Sequence, residues 1–295
     1  KFENSPFNVS VNLRHSQNSR DSTLTLSMPE MTFSMAKVYP FRRKNRSGPV
    51  RWYEKFGFNY TGNLKNTVTA KESEILDQSL SEDWRNGIRH NVPISLPSFN
   101  LLNHINMTPS FSYNEKWYFK KLNYSYDPDG NDLFSSRVPS TVDVDTITGL
   151  NRVYDYAYSL SASTNIYGMF LPRNPNSRVK GIRHKMTPSV SFSYRPDFGA
   201  ERFGYWQEVQ VDSTGKVQYF DVNMGGVYGG SPGRGASGAV NFSLNNNVEM
   251  KVLNTKDTTQ TEESDEQFEK VKLIDNLSLS TSYNLIADSF NLAPI

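Results

Sequence analysis

The feature that most restricts the fold of this chain is a two-residue alternation of apolar and polar side chains along nearly its whole length. The stretch NLSLSTSYNLI, residues 276–286, shows it clearly, because leucine, threonine and tyrosine alternate there with serine and asparagine. A period of two is typical of β-strands, whose successive side chains point to opposite faces. The pattern therefore predicts strands with one apolar face and one face of small polar groups.

The alternation is held over unusually long segments. In residues 56–70 and again in 240–252, the large apolar side chains stand at even-numbered positions, a spacing that a strand explains and a helix does not. Roughly nine or ten strands follow from the pattern, and several exceed the ~5 to 6 residues usual in soluble sheets. The best helical candidate, residues 73–84, is short, and no run approaches the roughly 18 to 20 apolar residues of a membrane helix. The predicted fold class is all-β with antiparallel strands.

Composition excludes several classes of protein. Lys and Arg number 32 against 30 Asp and Glu, a net charge of +2, and no block of one sign marks a nucleic-acid partner. Cysteine is absent, so disulfides, thiolate metal sites and cysteine nucleophiles are excluded. Aromatic residues make up 13% of the chain, whereas disordered chains are depleted in them. The chain is therefore expected to fold.

The polar face of the strands distinguishes two all-β architectures. Its positions are mostly Ser, Asn, Thr and Gly, whereas the outer faces of a soluble sandwich carry many Lys, Glu and Thr. A transmembrane barrel turns its apolar face to lipid and its polar face to a wet lumen, and aromatic residues gather near the strand ends, as here at 39–53 and 117–126. We predict an outer-membrane barrel, the alternative being a soluble β-sandwich or adhesin-like domain.

The lengths of the connections suggest an orientation within one barrel domain over 1–295. Long polar segments at 72–86, 127–149 and 197–235 are expected at one end of the strands, and most short connections at the other. This asymmetry is typical of outer-membrane barrels. The short turn at 18–21 and the acidic insert 255–270 do not follow it.

Motifs for bond chemistry are not supported by their context. Gly229 to Gly233 match the nucleophile-elbow spacing, and the glycines from Gly233 to Gly238 match a dinucleotide-binding spacing, but no predicted helix follows either match. The four histidines show no metal-ligand spacing. We therefore predict a protein that is not an enzyme and needs no cofactor.

Two polar clusters are candidate ligand sites. Asp127, Asp129 and Asp132, with Asn131, Asp143 and Asp145 in the same long segment, could supply oxygen ligands to calcium, although the spacing of Gly130 departs from an EF-hand loop. The second cluster is basic and comprises Arg42, Arg43, Lys44, Arg46 and Arg51. Guanidinium groups bind phosphate bidentately, so these residues are candidate contacts for lipopolysaccharide phosphates. The alternative is an ordinary charged turn facing lipid headgroups.

Several segments together resemble the lipopolysaccharide-assembly outer membrane protein LptD in the form found in Bacteroidetes. They are MPEMTFSMAKVYPFRRK (28–44), GPVRWYEKFGFNY (48–60), GIRHKMTPSVSFSYRPDF (181–198), SLNNNVEMKV (243–252) and DNLSLSTSYNLIADSF (275–290). The segments are strand-like rather than catalytic, and they occur in order over most of the chain. The resemblance rests on the set rather than on one motif.

This resemblance implies a function and partners. A large barrel of this family, plugged by a lipoprotein of the LptE type and fed by periplasmic bridge proteins, inserts lipopolysaccharide into the outer leaflet through a lateral opening. The chain would be an internal part of such a barrel in the outer membrane of a Gram-negative bacterium, in contact with its lipids. The alternatives are another large barrel, such as a nutrient transporter or protein translocon, and a secreted adhesin or binding domain.

One proline bears on the lateral opening that the resemblance implies. Pro29 interrupts an otherwise continuous strand pattern, and proline weakens pairing between strands because it lacks a backbone donor. It is a candidate gate residue, the alternative being an ordinary bulge or strand end.

Overall fold

The computed structural model describes residues 5–45, 48–71, 84–130, 137–174, 176–253 and 268–294. These residues form thirteen strands and two short 3-10 turns, Trp52–Lys55 and Glu201–Phe203. The strands are β1 Phe7–Asn18, β2 Thr23–Val38, β3 Gly57–Lys71, β4 Arg85–Ser95, β5 Phe99–Leu101, β6 Ile105–Tyr126, β7 Val142–Ser163, β8 Ile166–Phe170, β9 Val179–Arg195, β10 Trp206–Gln210, β11 Val217–Asp221, β12 Ser237–Leu253 and β13 Phe268–Asn284. The all-β prediction is confirmed.

Nine long strands form the main antiparallel sheet. Their order is β1-β2-β3-β4-β6-β7-β9-β12-β13, with the short strands β5 and β8 paired to β6 and β9. The longest two, β6 and β7, each run for 22 residues. In the described residues this order has two ends, β1 and β13, as expected of part of a barrel. The predicted number of long strands is confirmed.

The register aligns the apolar positions of neighbouring strands into rows on one face. Val9 pairs with Phe33, and Phe33 pairs with Gly62 of β3. Ring contacts continue along this face, with the Phe33 and Tyr60 centroids 5.8 Å apart. Leu13 is 70% exposed and Leu277 is 49% exposed, so no second layer covers these apolar side chains in the described part of the chain. A β-sandwich would bury them against another sheet, and the structure therefore favours the barrel.

Contacts divide the chain into two compact units. The first comprises Lys1–Leu96, Ser110–Tyr158 and Arg195–Ala236. It contains both clusters of buried apolar side chains found in the described residues. The second comprises Pro97–Pro109, Ser159–Tyr194 and Ser237–Ile295. In the second unit β12 and β13 pair along most of their length, from Ala239 opposite Asn284 to Leu253 opposite Phe268.

The strand order clarifies one of the two exceptions among the connections. Alternating strand directions place the β1–β2 turn at the same end as the C-termini of β3 and β6 and the segment 196–236. This short turn is therefore a real exception. The acidic insert 255–270 lies, apart from residues 268–270, outside the described residues. The predicted loop 127–149 gives way to β7 at Val142, and the insert 255–270 to β13 at Phe268.

Pro29 lies within β2 at an irregularity in pairing. The register against β3 shifts between Ser27 and Glu30, and the register against β1 shifts between Asn12 and Arg14. A bulge of this kind accommodates a residue without a backbone donor. The bulge interpretation is confirmed, whereas a role for Pro29 in a gate stays a prediction.

In the described ranges, no helix has the length and apolar character to cross a bilayer. The helical candidate 73–84 lies, apart from Trp84, outside these ranges.

Candidate functional site: the capped polar face

Residues 196–236, here called the cap, fold into a small structured element. The cap contains the 3-10 turn Glu201–Phe203 and the hairpin of β10 and β11, in which Trp206 pairs with Asp221 and Gln210 with Val217. Asp212 closes the hairpin by accepting hydrogen bonds from the backbone N–H groups of Thr214 and Lys216, at 2.9 and 3.1 Å. The long segment predicted at 197–235 is therefore ordered by its own pairing.

Polar contacts attach the cap to the polar face of the sheet. The Nζ of Lys116 on β6 donates to the carbonyl of Gly230 at 2.9 Å, and the hydroxyl of Tyr118 donates to the carbonyl of Gly229. The amide of Gln207 bonds both backbone groups of Tyr124 on β6, at 3.0 and 2.7 Å. Backbone groups of β6 are thus satisfied by the cap rather than by water.

Two apolar clusters make the attachment stable. One contains Tyr118, Val153, Phe198 and Tyr205, and the other joins Val209 and Phe220 of the hairpin to Leu122, Tyr124, Val138 and Val142. Phe198 is completely buried, with its ring 5.3 Å from that of Tyr156 and 5.0 Å from that of Phe203. Burial of this kind contributes roughly 1.5–3 kcal/mol per large apolar side chain. The cap is therefore packed onto the sheet.

Cationic side chains line the polar face of β4 and β6. Arg89 and Lys116 are register partners on adjacent strands. The guanidinium of Arg89 donates to Asn63 at 3.0 Å and lies 5.1 Å from the ring centre of Tyr228 in the cap. The hydroxyl of Tyr228 is buried without a hydrogen-bond partner in the described residues, whereas the carboxylate of Glu30 nearby forms an ion pair with Arg14 at 3.3 Å. A buried hydroxyl without a partner accommodates water or a polar ligand.

A cavity of about 640 Å³ lies between the cap and the polar face. The sheet contributes Thr69 and Tyr118, and the cap contributes residues 222–227. Four cationic residues are among those that line it: Arg85, Lys120, Lys121 and Arg137. No carboxylate lines the cavity among the described residues. Its volume is that of a small-ligand site, and its charge favours an anionic group.

Sequence reasoning missed this site because the cavity is made by segments distant in the chain. The hairpin within the cap had a local signal, since WQEVQ and VQYF flank the turn-forming residues Asp212 to Gly215. Its position on the polar face had none. Only the bonds from β6 to residues 207, 229 and 230 bring the cap there.

The predicted basic cluster lies between β2 and β3, at the end opposite to the cap. Arg42 stacks over the ring of Tyr39 at 5.6 Å, and Lys44 is exposed. Arg51 is also exposed and donates to the hydroxyl of Tyr53 at 3.1 Å. Arg46 lies outside the described residues. A role of this cluster in phosphate binding stays a prediction.

Arg43 differs from its neighbours because it pairs with a buried carboxylate. Its guanidinium bonds Glu54, whose side chain is completely inaccessible to solvent. Glu54 also accepts a hydrogen bond from the backbone N–H of Arg51 at 2.8 Å. The hydrogen bonds from Arg43 and from the backbone of Arg51 lower the pKa of Glu54 to about 2. Arg43 therefore fixes the turn, and its guanidinium is largely occupied.

We expect the carboxyl group of Glu54 to titrate near pH 2 rather than at its ordinary pKa of 4.5. Because the pKa is lowered by folding, the stabilisation of the turn is complete above about pH 4.5 and is lost as the pH falls through about 2. Carbon-13 NMR of the carboxyl group would measure the titration, with Glu54→Gln identifying the signal. A midpoint near 4.5 would contradict the ion pair.

The predicted calcium ligands are only partly within the described residues. Asp127 accepts a hydrogen bond from the backbone N–H of Asp129 at 3.1 Å, which forms a local turn. Asp143 accepts a hydrogen bond from the backbone N–H of Val144, and Asn131 and Asp132 lie outside the described ranges. No group of three potential metal ligands is found in the part of the chain that the structure describes. Calcium binding stays a prediction.

The glycine motifs occur in the cap and not before a helix. Gly229, with a φ of 81°, lies in a turn, and Gly233 to Gly238 lead directly into β12. Neither segment provides the helix N-terminus that a nucleophile elbow or a dinucleotide site requires. One of their glycines, Gly230, instead permits close packing, since an added Cβ there would overlap a carboxylate oxygen of Asp221.

Comparison with known families assigns the chain. The family model described as LptD protein matches residues 1–295. The chain belongs to the LptD family. This membership confirms, at the level of the LptD family, the resemblance drawn from the strand sequences, and it associates the chain with lipopolysaccharide transport and assembly at the outer membrane. No curated protein and no solved structure matches the chain.

LptD membership also bears on the alternatives. The family is one of transport and assembly proteins, not of enzymes, which agrees with the absence of a supported catalytic motif in the sequence. It favours lipopolysaccharide transport over a nutrient transporter, a protein translocon or an adhesin. In this LptD chain the capped polar face is accordingly the candidate site.

Proposed function

We propose that the polar face and the cavity beneath the cap carry the saccharide and phosphate groups of lipopolysaccharide, while its acyl chains leave sideways through a lateral opening in the barrel wall. The observation that supports this proposal most directly is the cavity of about 640 Å³ lined by Arg85, Lys120, Lys121 and Arg137. Guanidinium and ammonium groups bind phosphate through charge-assisted hydrogen bonds. The two faces of the sheet thus match the two parts of an amphipathic lipid.

The proposed mechanism is passive conduction without bond chemistry. The chain would be part of a multi-pass barrel of the Bacteroidetes type in the outer membrane of a Gram-negative bacterium. A plug lipoprotein of the LptE type and periplasmic bridge proteins would complete the assembly, and the energy for transport would come from elsewhere in the envelope. The basic cluster at Arg42, Lys44 and Arg51 would contact lipid phosphates at the opposite end of the strands.

Photocrosslinking in cells tests this proposal. A photoreactive amino acid replaces Met224, which lines the cavity, in the full-length protein. We expect an adduct with lipopolysaccharide that weakens about 25-fold when Arg85→Gln and Lys121→Gln together remove two cations, since each cation near an anionic lipid contributes about 1 kcal/mol.

The matched control replaces Val217, which is half-exposed in the same cap but does not line the cavity. We expect no adduct there. Equal adducts at both positions, or none at Met224 in a folded protein, would refute the role of the cavity.

A further inference from the structure

An ionised side chain lies on the apolar face of the sheet. Glu115 of β6 pairs with His90 of β4, His90 pairs with Gly62 of β3, and Gly62 pairs with Phe33 of β2. Glu115 therefore lies in the same cross-strand row, and on the same face, as the apolar residues Phe33 and Val9. Glu115 is only 8% exposed. A carboxylate in such a position is costly unless it is paired and hydrogen-bonded.

Four hydrogen bonds satisfy this carboxylate. Tyr113 donates to one oxygen at 2.5 Å, and Trp117 donates to the other through Nε1 at 2.6 Å. Arg152 of β7 donates to both oxygens, through Nε at 2.5 Å and through Nη2 at 3.1 Å. Glu115 is thereby held as a fixed anchor for the guanidinium of Arg152.

The guanidinium of Arg152 has N–H donors that do not bond to Glu115. Nη2 of Arg152 also donates to the hydroxyl of Tyr113 at 3.0 Å, whereas no described residue accepts a hydrogen bond from Nη1. The side chain is 58% exposed and lies over the ring of Tyr154 at 5.3 Å. Because an Arg side chain is normally flexible, this fixation lowers the entropic cost of binding an anion.

A second arginine extends the same arrangement. The ring of Phe203 meets that of Tyr154 edge to face, with their centroids 5.9 Å apart. The exposed guanidinium of Arg202 lies 4.7 Å from the ring centre of Phe203. The neighbouring Glu201 makes no ion pair with Arg202 in the described residues. Two guanidinium groups therefore flank a platform of two aromatic rings.

The surroundings of this platform are apolar and uncovered. Leu150 is 68% exposed, Tyr158 is 48% exposed and Phe119 is 38% exposed, all at apolar-face positions of β6 and β7. Aromatic rings beside cations are typical of the level at which lipid headgroups meet hydrocarbon. A soluble anion would leave these apolar side chains exposed to water, whereas the acyl chains of a lipid would cover them.

We propose that Arg152 and Arg202, on the platform of Tyr154 and Phe203, bind the anionic phosphate headgroup of a membrane lipid against the outer wall of the sheet. The proposal rests on the apolar face meeting lipid, which is part of the proposed function. The proposed site shares no residue with the lining of the cavity, although Arg202 and Phe203 belong to the cap. The site would hold a boundary lipid rather than the transported molecule.

Native mass spectrometry of the purified full-length protein tests the site. The protein is exchanged into micelles that contain either dioleoyl phosphatidic acid or dioleoyl phosphatidylcholine, and the lipid retained is counted. We expect the protein to retain phosphatidic acid preferentially. Arg202→Gln should weaken retention about fivefold, as expected for one surface cation. The double variant Glu115→Gln, Arg152→Gln should weaken it at least as much, without leaving a buried carboxylate unpaired.

Arg234→Gln is the matched control, since Arg234 also lies over a ring, that of Tyr219 at 3.3 Å, but in the hairpin region of the cap. It should leave retention unchanged. Equal retention of the two lipids, or unchanged retention in Arg202→Gln, would overturn the proposal. Displacement by an equal concentration of inorganic phosphate would overturn it in favour of a free-phosphate site. None of these results depends on the adduct at Met224, so failure here is distinguishable from failure of the proposed function.

Discussion

Replacing Phe198 by alanine is expected to lower the free energy of local unfolding of the cap by about 3–5 kcal/mol, the usual cost of deleting a buried phenyl ring. Phe198 is completely buried, and its ring contacts those of Tyr156 and Phe203. Hydrogen exchange measured by mass spectrometry on peptides from 196–236 would report the loss as faster exchange. Peptides from β12 and β13 should be unaffected.

Val217→Ala is the control for this prediction, because Val217 lies in the same cap and is 50% exposed. A surface substitution of this kind usually changes stability by less than about 0.5 kcal/mol. If Phe198→Ala left exchange in the cap unchanged, the cap would not be held by the aromatic cluster. The cavity would then lack a fixed wall.

Gly226→Ala is expected to displace the wall of the cavity from the sheet. A Cβ at this position would lie 2.7 Å from two ring atoms of Tyr118 and 3.0 Å from the carbonyl oxygen of Gly229. Tyr118 is only 3% exposed, and its hydroxyl is bonded to that same carbonyl, so its ring has little room to move. Overpacking of this kind costs about 1–3 kcal/mol. Faster hydrogen exchange in residues 222–230 would measure the effect.

Gly233→Ala provides a matched control within the cap. The nearest atom to its added Cβ would be Nη2 of Arg195, at an ordinary contact distance of 3.7 Å. We expect no change in exchange from this substitution. Equal effects of the two substitutions would show that the cap responds to any lost glycine and not to the contact with Tyr118.

These variants also separate the cap from the basic turn. Phe198 and Gly226 act on the cavity, whereas Glu54 and Arg43 act on the turn between β2 and β3 at the other strand end. If lipopolysaccharide crosslinking at Met224 falls with Gly226→Ala but not with Glu54→Gln, the cavity and not the turn carries the anionic groups. The reverse result would favour the basic cluster.

Much of the fold could be predicted because strand alternation is a local property. Residues 56–70 and 240–252 each have a side-chain period that only an extended strand accommodates, and both lie within long strands, β3 and β12. Likewise, the serine and leucine positions of 276–284 indicated the two faces of β13. A bulge at Pro29 was one of the interpretations that the missing backbone donor of proline allowed, and the register shifts beside it in β1, β2 and β3 confirm this one.

The candidate sites could not be predicted to the same extent because they depend on contacts between distant segments. Arg43 was grouped with its neighbours as a phosphate contact, yet the nearby chain turns so that Glu54 occupies its guanidinium. Arg152 and Glu115, which are 37 residues apart, had no signal in the sequence that joins them. Their pairing requires the register between β6 and β7, which no local pattern specifies.

The sequence by itself therefore determined the class of fold, the two faces of its strands and, through the ordered set of strand sequences, the LptD family. The tertiary structure alone decided where the long segment 196–236 lies and which cations it encloses. The physical reason is the range of the interactions. Alternation and turn chemistry act over a few residues, whereas the cavity depends on the burial of Phe198 and Tyr118 between parts of the chain about 80 residues apart.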